Sequence, residues 1–380
     1  MALTVGVEEE FLLTDVTTRR AVCRSADVLR ATVPRVGGGI VAEMSETQVE
    51  TVSRVCADLP ELRSELLGLR RAAARAAEGA GCRLVGSGTV VLGSPGPPPV
   101  LDRPRYHRIV ERFGPLVDQQ CVCSCHVHVG IADRDEAVQV VNHLRPWLPV
   151  LLAISGNSPY WEGRDTGYHS WRTQLWGRWP TAGPPPRLAG AAEYREVVAD
   201  LVGSGAILDD AMLYWYVRPS HHQPTVEVRV ADVPQAVDDA VLLAALVKGL
   251  ATTALAEVRA GRGAPYVADQ VLRAACWRAS RYGLPEDGAD GAAGAAGAAG
   301  AAGAAALAAD GRTWSTTGVS ALLDHIGPVL DAAGETGFVL DALRERRLGG
   351  SGSHRQRLAH RRRGRLEDVV DMLADRAVAG

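Results

Sequence analysis

Hydrophobic and polar positions along the chain follow two periods. Residues 6–13, 83–89, 121–131 and 225–231 alternate every second position, the pattern of strands with one buried face. Longer segments between them carry apolar residues three and four apart. Leu59, Leu62, Leu66 and Leu69 make one such stripe, and Asp58 followed by Glu61 supplies a capping box at its start. Asp133 and Glu136 repeat the device just after the 121–131 segment. This mixture predicts an α+β fold in which helices pack on one face of a sheet.

The most apolar stretch, residues 241–256, is flanked by Asp238, Asp239 and Glu257 and interrupted by Lys248. It falls short of the ~20 residues needed to cross a bilayer, so a buried helix is expected and no membrane association. Residues 285–307 degenerate into GAAGAAGAAGAAGAAA, with neither period nor turn chemistry, and read as a low-complexity tether. It divides a main body, residues 1–284, from a helical C-terminal part of the same domain, residues 308–380. That part holds nine arginines from Arg344 to Arg365 and a Gly349-Gly-Ser-Gly352 stretch that reads as flexible. A charge run of this kind is expected on a solvated helical face, the alternative being a reach over a bound anion.

At 380 residues, 47% hydrophobic and 22% charged, the chain can bury a large core. Its net charge of -3 gives no general attraction to nucleic acid or to an anionic membrane, which points to small-molecule partners and leaves homo-oligomer formation open. The seven cysteines are odd in number and contain no CxxC pair, so neither a disulfide framework nor a zinc ribbon is expected. Together with glutamates where a signal peptide needs apolar residues, this predicts a reducing cytoplasm.

Candidate chemistry follows from the alternation. In Val5-Gly-Val-Glu-Glu-Glu-Phe11, Glu8 and Glu10 project from one side, and Glu9 points the other way with Val7 and Phe11. Two like charges on one sheet face are tolerated when a cation lies between them, and oxygen ligands suit Mg²⁺ or Mn²⁺; a solvated open sheet is the plainer alternative. In Thr225-Val-Glu-Val-Arg-Val-Ala231, strict alternation sets Glu227 and Arg229 against Val226, Val228 and Val230. In Cys121-Val-Cys-Ser-Cys-His-Val-His-Val129, His126 and His128 share a face opposite to Cys121, Cys123 and Cys125. Thiols and imidazoles therefore cannot share one tetrahedral zinc, although a zinc held by His126, His128 and a remote carboxylate stays open. Glu43-Met-Ser-Glu-Thr-Gln-Val-Glu50 adds acid in a segment that reads equally as helix or strand. Trp171-Arg-Thr-Gln-Leu-Trp-Gly-Arg-Trp-Pro180 combines stacking and anion-binding side chains. Neither a phosphate-binding Gly-x-x-x-x-Gly-Lys loop nor a Gly-x-Ser-x-Gly elbow occurs.

In order, Gly6-Val-Glu-Glu-Glu-Phe, Glu43 through Glu50, His126-Val-His-Val-Gly, Ser155-Gly-Asn-Ser-Pro-Tyr-Trp, Arg218-Pro-Ser-His-His and Thr225-Val-Glu-Val-Arg resemble the glutamate-cysteine ligase type 2 family of carboxylate-amine ligases. The resemblance covers nearly the whole chain, the Ala/Gly tract apart. It implies a fold like the catalytic domain of glutamine synthetase, an antiparallel sheet lined with acidic metal ligands. By the same resemblance Glu8, Glu10, Glu43, Glu50, His126 and Glu227 are metal ligands, and His128 and Arg229 face the phosphates of ATP. Arg172 and Arg218 are candidates for the substrate carboxylate, with Glu46 left at the surface. The implied reaction joins glutamate, or a similar carboxylate, to cysteine or another amine through an acyl phosphate, using ATP and Mg²⁺ or Mn²⁺, with Glu227 and Arg229 as the catalytic pair. A zinc amidohydrolase and a non-catalytic nucleotide or γ-glutamyl binder are the competing readings.

Overall fold

The computed structural model describes residues 3–93, 96–284 and 318–379. The first third of the chain contains β1 (Val5–Asp15), α1 (Ser25–Arg30), β2 (Gly39–Ala42), β3 (Gln48–Val52), α2 (Leu59–Gly79), β4 (Cys82–Val85) and α3 (Pro104–Phe113). Next come β5 (Ser124–Gly130), α4 (Arg134–Leu144), α5 (Leu148–Ser155), β6 (Tyr160–Trp161), β7 (Arg164–Asp165), α6 (Arg172–Trp176) and α7 (Ala191–Gly203). Strands β8 (Val217–Pro219) and β9 (Thr225–Asp232) follow, with α8 (Val237–Arg259) and α9 (Asp269–Tyr282) behind them. Four helices close the chain: α10 (Gly318–Ala333), α11 (Thr336–Gly349), α12 (Gly352–Arg363) and α13 (Leu366–Ala377).

The main sheet is antiparallel, in the order β2-β3-β1-β5-β9-β8, with β4 paired to the far end of β1. The fold is the expected α+β arrangement. One face buries Val5, Val7, Val127, Val129, Val226, Val228 and Val230 against helices that include α2, α4, α5 and α8. Both capping boxes form: Asp58 accepts from Glu61 N at 2.8 Å, and Asp133 accepts from Glu136 N at 2.9 Å. The apolar helix α8 has the length and composition of a membrane span, but it lies in the core, and its Lys248 pairs with Glu335 at 2.7 Å.

Residues of the C-terminal helices pack into two hydrophobic clusters. Leu322, Ile326, Leu330 and Val339 join the core around α8, and Val369, Val370 and Leu373 join a second cluster with Phe11, Leu13 and Val85. The Ala/Gly tract at 285–307 lies outside the described residues.

Several expectations need correction. Of the alternating segment 83–89 only the beginning is strand, because the chain leaves the sheet after Val85. The Gly349-Gly-Ser-Gly352 stretch is not loose at its far end. Ser351 and Ser353 are fully buried, and the Gly352 carbonyl accepts from Gln235 Nε2 at 2.8 Å. Nor is the arginine run simply a solvated face. Arg346 is buried and donates to the carbonyls of Ile154 and Ala153, Arg355 pairs with Asp239, and Arg357 pairs with Asp165. Arg344, Arg347, Arg361, Arg362, Arg363 and Arg365 do stay exposed.

Candidate active site

The face of the sheet away from the core is acidic, and strand register assembles it. Glu10 on β1 stands opposite Glu50 on β3, and Glu8 stands opposite His126 on β5. His128 is then opposite Glu227 on β9, which is opposite Arg218 on β8. Glu9, between the two site carboxylates, projects to the other side and forms a fully buried two-pronged ion pair with Arg70 of α2, at 2.9 and 2.5 Å.

Glu43 joins by a different route. The 43–50 segment is neither a helix nor one strand: β2 ends at Ala42, β3 begins at Gln48, and the two pair as a hairpin. Glu43 lies two residues beyond Val41, the partner of Glu50, and so shares its face. Glu46 sits in the hairpin loop and joins no ligand group.

Three sets of donor atoms result, each with all atoms within 4.8 Å of one another: Glu8, Glu50 and His126; Glu8, His128 and Glu227; Glu10, Glu43 and Glu50. Carboxylate-rich sets with one or no imidazole suit hard divalent cations better than a structural zinc. Two features fit that reading. His128 Nε2 points into the acidic face, 3.4 Å from Glu8 Oε1, its Nδ1 being engaged by Thr225 Oγ1 at 3.0 Å. Glu10, Glu43 and Glu50 crowd three carboxyls together, and the charge of Glu43 acts on both of the others. The imidazoles fall in different sets, so the sequence idea of one zinc on His126 and His128 has no single set of donors here.

Charge balance across the face is uneven. Burial, reinforced by Glu8, Glu43 and Glu10, pushes Glu50 well above the usual carboxylate range, and burial also raises Glu43 and Glu10. Burial acts on Glu8 as well, but hydrogen bonds from His126 and His128 outweigh it and hold Glu8 well below that range. For Glu227 the burial penalty is overcome by Arg229 and Arg218, leaving it firmly ionised. Burial and the Arg229 charge lower His126, whereas for His128 the attraction of Glu8 and Glu227 exceeds burial and raises it.

The arginines are already engaged. Arg229 pairs with Glu227 Oε1, and Arg218 donates to Glu227 Oε2 at 2.9 Å and to the Leu213 carbonyl at 2.7 Å. Arg172 is 2% exposed and donates to the carbonyls of Arg229 and Val230 on β9, and its charge also acts on Glu10.

Residues outside the sequence expectations also border the site. Tyr106 feels the charge of Glu43, and Tyr214, raised to about 12 by burial, feels Arg105, Arg229 and Glu43. Arg105 holds Asp209 through two bonds, at 3.0 and 2.9 Å. No local periodicity marks these positions as functional.

The glutamate-cysteine ligase family 2 model matches residues 4–371. A relative from Saccharopolyspora erythraea bearing the name "Putative glutamate--cysteine ligase 2-1" is 47% identical over 372 residues, spanning 97% of this chain and 93% of its own. Among solved structures, the glutamate-cysteine ligase of Francisella tularensis in complex with AMP superposes with a TM-score of 0.69 at 13% identity, covering 100% of this chain and 90% of that one. The bifunctional glutathione synthetase of Pasteurella multocida gives 0.67 at 14% identity, covering 99% of this chain, which spans only 52% of that longer protein. At such identities these two show a shared fold. The family match and the relative's identity together establish membership: the chain belongs to the glutamate-cysteine ligase family 2.

Proposed function

We propose that this protein is an ATP-dependent carboxylate-amine ligase that activates the γ-carboxylate of glutamate, or a similar acid, and joins it to cysteine or another small amine. The observation that carries the proposal is the row of three cation-sized acidic groups beside Arg229 on a single sheet face. An anionic nucleophile must approach an anionic phosphate, and this face offers sites for the opposing charge.

Glu8, Glu10, Glu43, Glu50, His126 and Glu227 would hold Mg²⁺ or Mn²⁺, and its place beside Glu8 and Glu227 makes His128 a further ligand candidate beside its role toward the nucleotide. When bound, such cations neutralise phosphate oxygens and hold them in line with the nucleophile. Arg229 supplies fixed positive charge to the transferred group, an interaction of the kind worth ~3 kcal/mol in a transition state. Arg218 keeps Glu227 ionised and oriented. The carboxylate oxygen forms a bond to the γ-phosphorus of ATP as the bond to ADP breaks, giving an acyl phosphate. The amine then forms the C–N bond, loses a proton and displaces phosphate. With cysteine as acceptor the product is γ-glutamylcysteine, which places the enzyme in glutathione-type thiol biosynthesis. Seven free thiols support a reducing cytoplasm as its setting.

The test is ADP release with Mg²⁺-ATP and glutamate across a panel of amino acids and small amines, with the product identified by mass spectrometry. A mass equal to the two substrates less water supports the ligase. Amide hydrolysis without ATP would favour the zinc amidohydrolase instead, and nucleotide binding without turnover would favour a non-catalytic binder.

A further inference from the structure

Strand β9 contains one residue more than its neighbour can pair. The matched pairs Cys125–Ala231 and Val127–Val228 enclose a single residue of β5, His126, but two residues of β9, Arg229 and Val230. This is a β-bulge, a device that breaks the ladder locally and turns a side chain. It lies at the one arginine on the acidic face of β9. Strand β8 gives little help, since it pairs only with residues 226–228.

Arg172 supplies the missing partners. Its Nη2 donates to the Arg229 carbonyl at 3.1 Å and its Nη1 to the Val230 carbonyl at 3.3 Å. Arg229 N in turn donates to the Tyr216 carbonyl at 2.8 Å, so the backbone of Arg229 is fixed at both its N–H and its C=O. Asp232, fully buried, brings a carboxylate to 3.8 Å from Arg172 Nη1. That carboxylate is itself fixed by Asn157 N at 2.8 Å, Ser158 Oγ at 2.7 Å and Ser170 Oγ at 2.7 Å. The Ser155-Gly-Asn-Ser stretch thus connects to the site through Asp232, Arg172 and the bulge.

We propose that Arg172 is a positioning residue, a guanidinium clamp on the bulged carbonyls of β9 that aims Arg229 across the acidic face. Its role runs through Arg229, with no direct contact to substrate. The catalytic part of this inference rests on the ligase reading; the geometric part does not. A planar fork reaches two carbonyls at once, whereas the single ammonium of lysine cannot hold both in the same geometry.

The experiment pairs kinetics with crystallography. Arg172→Lys, Arg229→Lys and the double variant are assayed for Mn²⁺ binding, for the KM of ATP, and for kcat of ADP release with glutamate and cysteine. Arg172→Lys should fold, keep wild-type Mn²⁺ affinity and lose about a hundredfold in kcat, the cost of a small misplacement. In the Arg229→Lys background the same change should alter kcat by less than about twofold, because coupled residues are not additive. Fully additive losses, or unchanged kcat in Arg172→Lys, overturn the clamp. A crystal structure of Arg172→Gln provides the arm independent of the reaction. The Arg229 side chain should leave Glu227 there, and an intact Arg229–Glu227 pair on an unaltered bulge would overturn the proposal. A wild-type protein that never releases ADP would overturn the ligase reading while this structural arm still decides the clamp.

Discussion

Glu10 and Glu50 stand directly opposite each other in adjacent antiparallel strands. Facing like charges destabilise a sheet, and both carboxyls are pushed above their usual range by burial and by neighbouring acid. The arrangement makes physical sense as half of a cation site.

Glu50→Gln should therefore act in opposite directions with and without metal. In metal-free protein it removes a repulsion, and stability should rise by roughly 0.2–1 kcal/mol. The increase in Tm that Mg²⁺ or Mn²⁺ gives the wild type should shrink or vanish. Thermal unfolding with metal and with chelator measures both; a variant that Mn²⁺ still stabilises fully would remove Glu50 from the ligands.

Cation binding should tighten as pH rises. Glu50, Glu43 and Glu10 have raised values, so the free site retains protons to higher pH than ordinary carboxylates would, and metal must displace them. Calorimetric titration of Mn²⁺ in two buffers of different ionisation enthalpy should show net proton release, larger in mildly acidic solution. The same groups make metal-free protein less stable as pH climbs from the ordinary carboxylate range through their raised values, because the folded state binds more protons there than the unfolded chain. Pairing of Glu8 and Glu227 has the opposite sign, its contribution being lost as pH falls through their depressed values. Proton uptake on metal binding would contradict the assignment.

Glu227→Gln should lower Mg²⁺-dependent ADP formation by about 10²–10³-fold, the scale of losing one oriented electrostatic contact. Circular dichroism should stay that of the wild type. Undiminished turnover would show that the acidic face had been assigned to the wrong chemistry.

On the opposite face, Glu9→Gln should behave as a stability variant. It leaves Arg70 buried without its counter-ion, a loss of about 3–5 kcal/mol. Arg70 keeps its carbonyl partners at Gln235, Ala377 and Pro234. Denaturant unfolding should show the loss, and kcat per folded molecule should change little.

Gly352→Ala tests the packed entry to α12. An added Cβ would stand 2.6 Å from Asn157 Oδ1. Overpacking of this kind costs about 1–3 kcal/mol, visible as a lower denaturation midpoint. A neutral outcome would restore the flexible reading of this stretch.

Alternation by itself determined which residues share a face. Glu8 and Glu10 parted from Glu9, His126 and His128 from Cys125, and Glu227 and Arg229 from the valines of β9, because the two-residue period of a strand is local geometry and needs no partner. The motif order carried the family resemblance, and the helix caps at Asp58 and Asp133 were equally legible. Tertiary structure alone decided that Glu10 meets Glu50, that Glu43 arrives through a hairpin, and that β9 bulges at Arg229. Those outcomes depend on register between strands distant in sequence, which no local pattern encodes. The position of Arg172 was hidden for a related reason. Its partners are backbone carbonyls, identical for every residue type, so composition points such an arginine toward an anionic ligand and only the folded chain shows the carbonyls it holds.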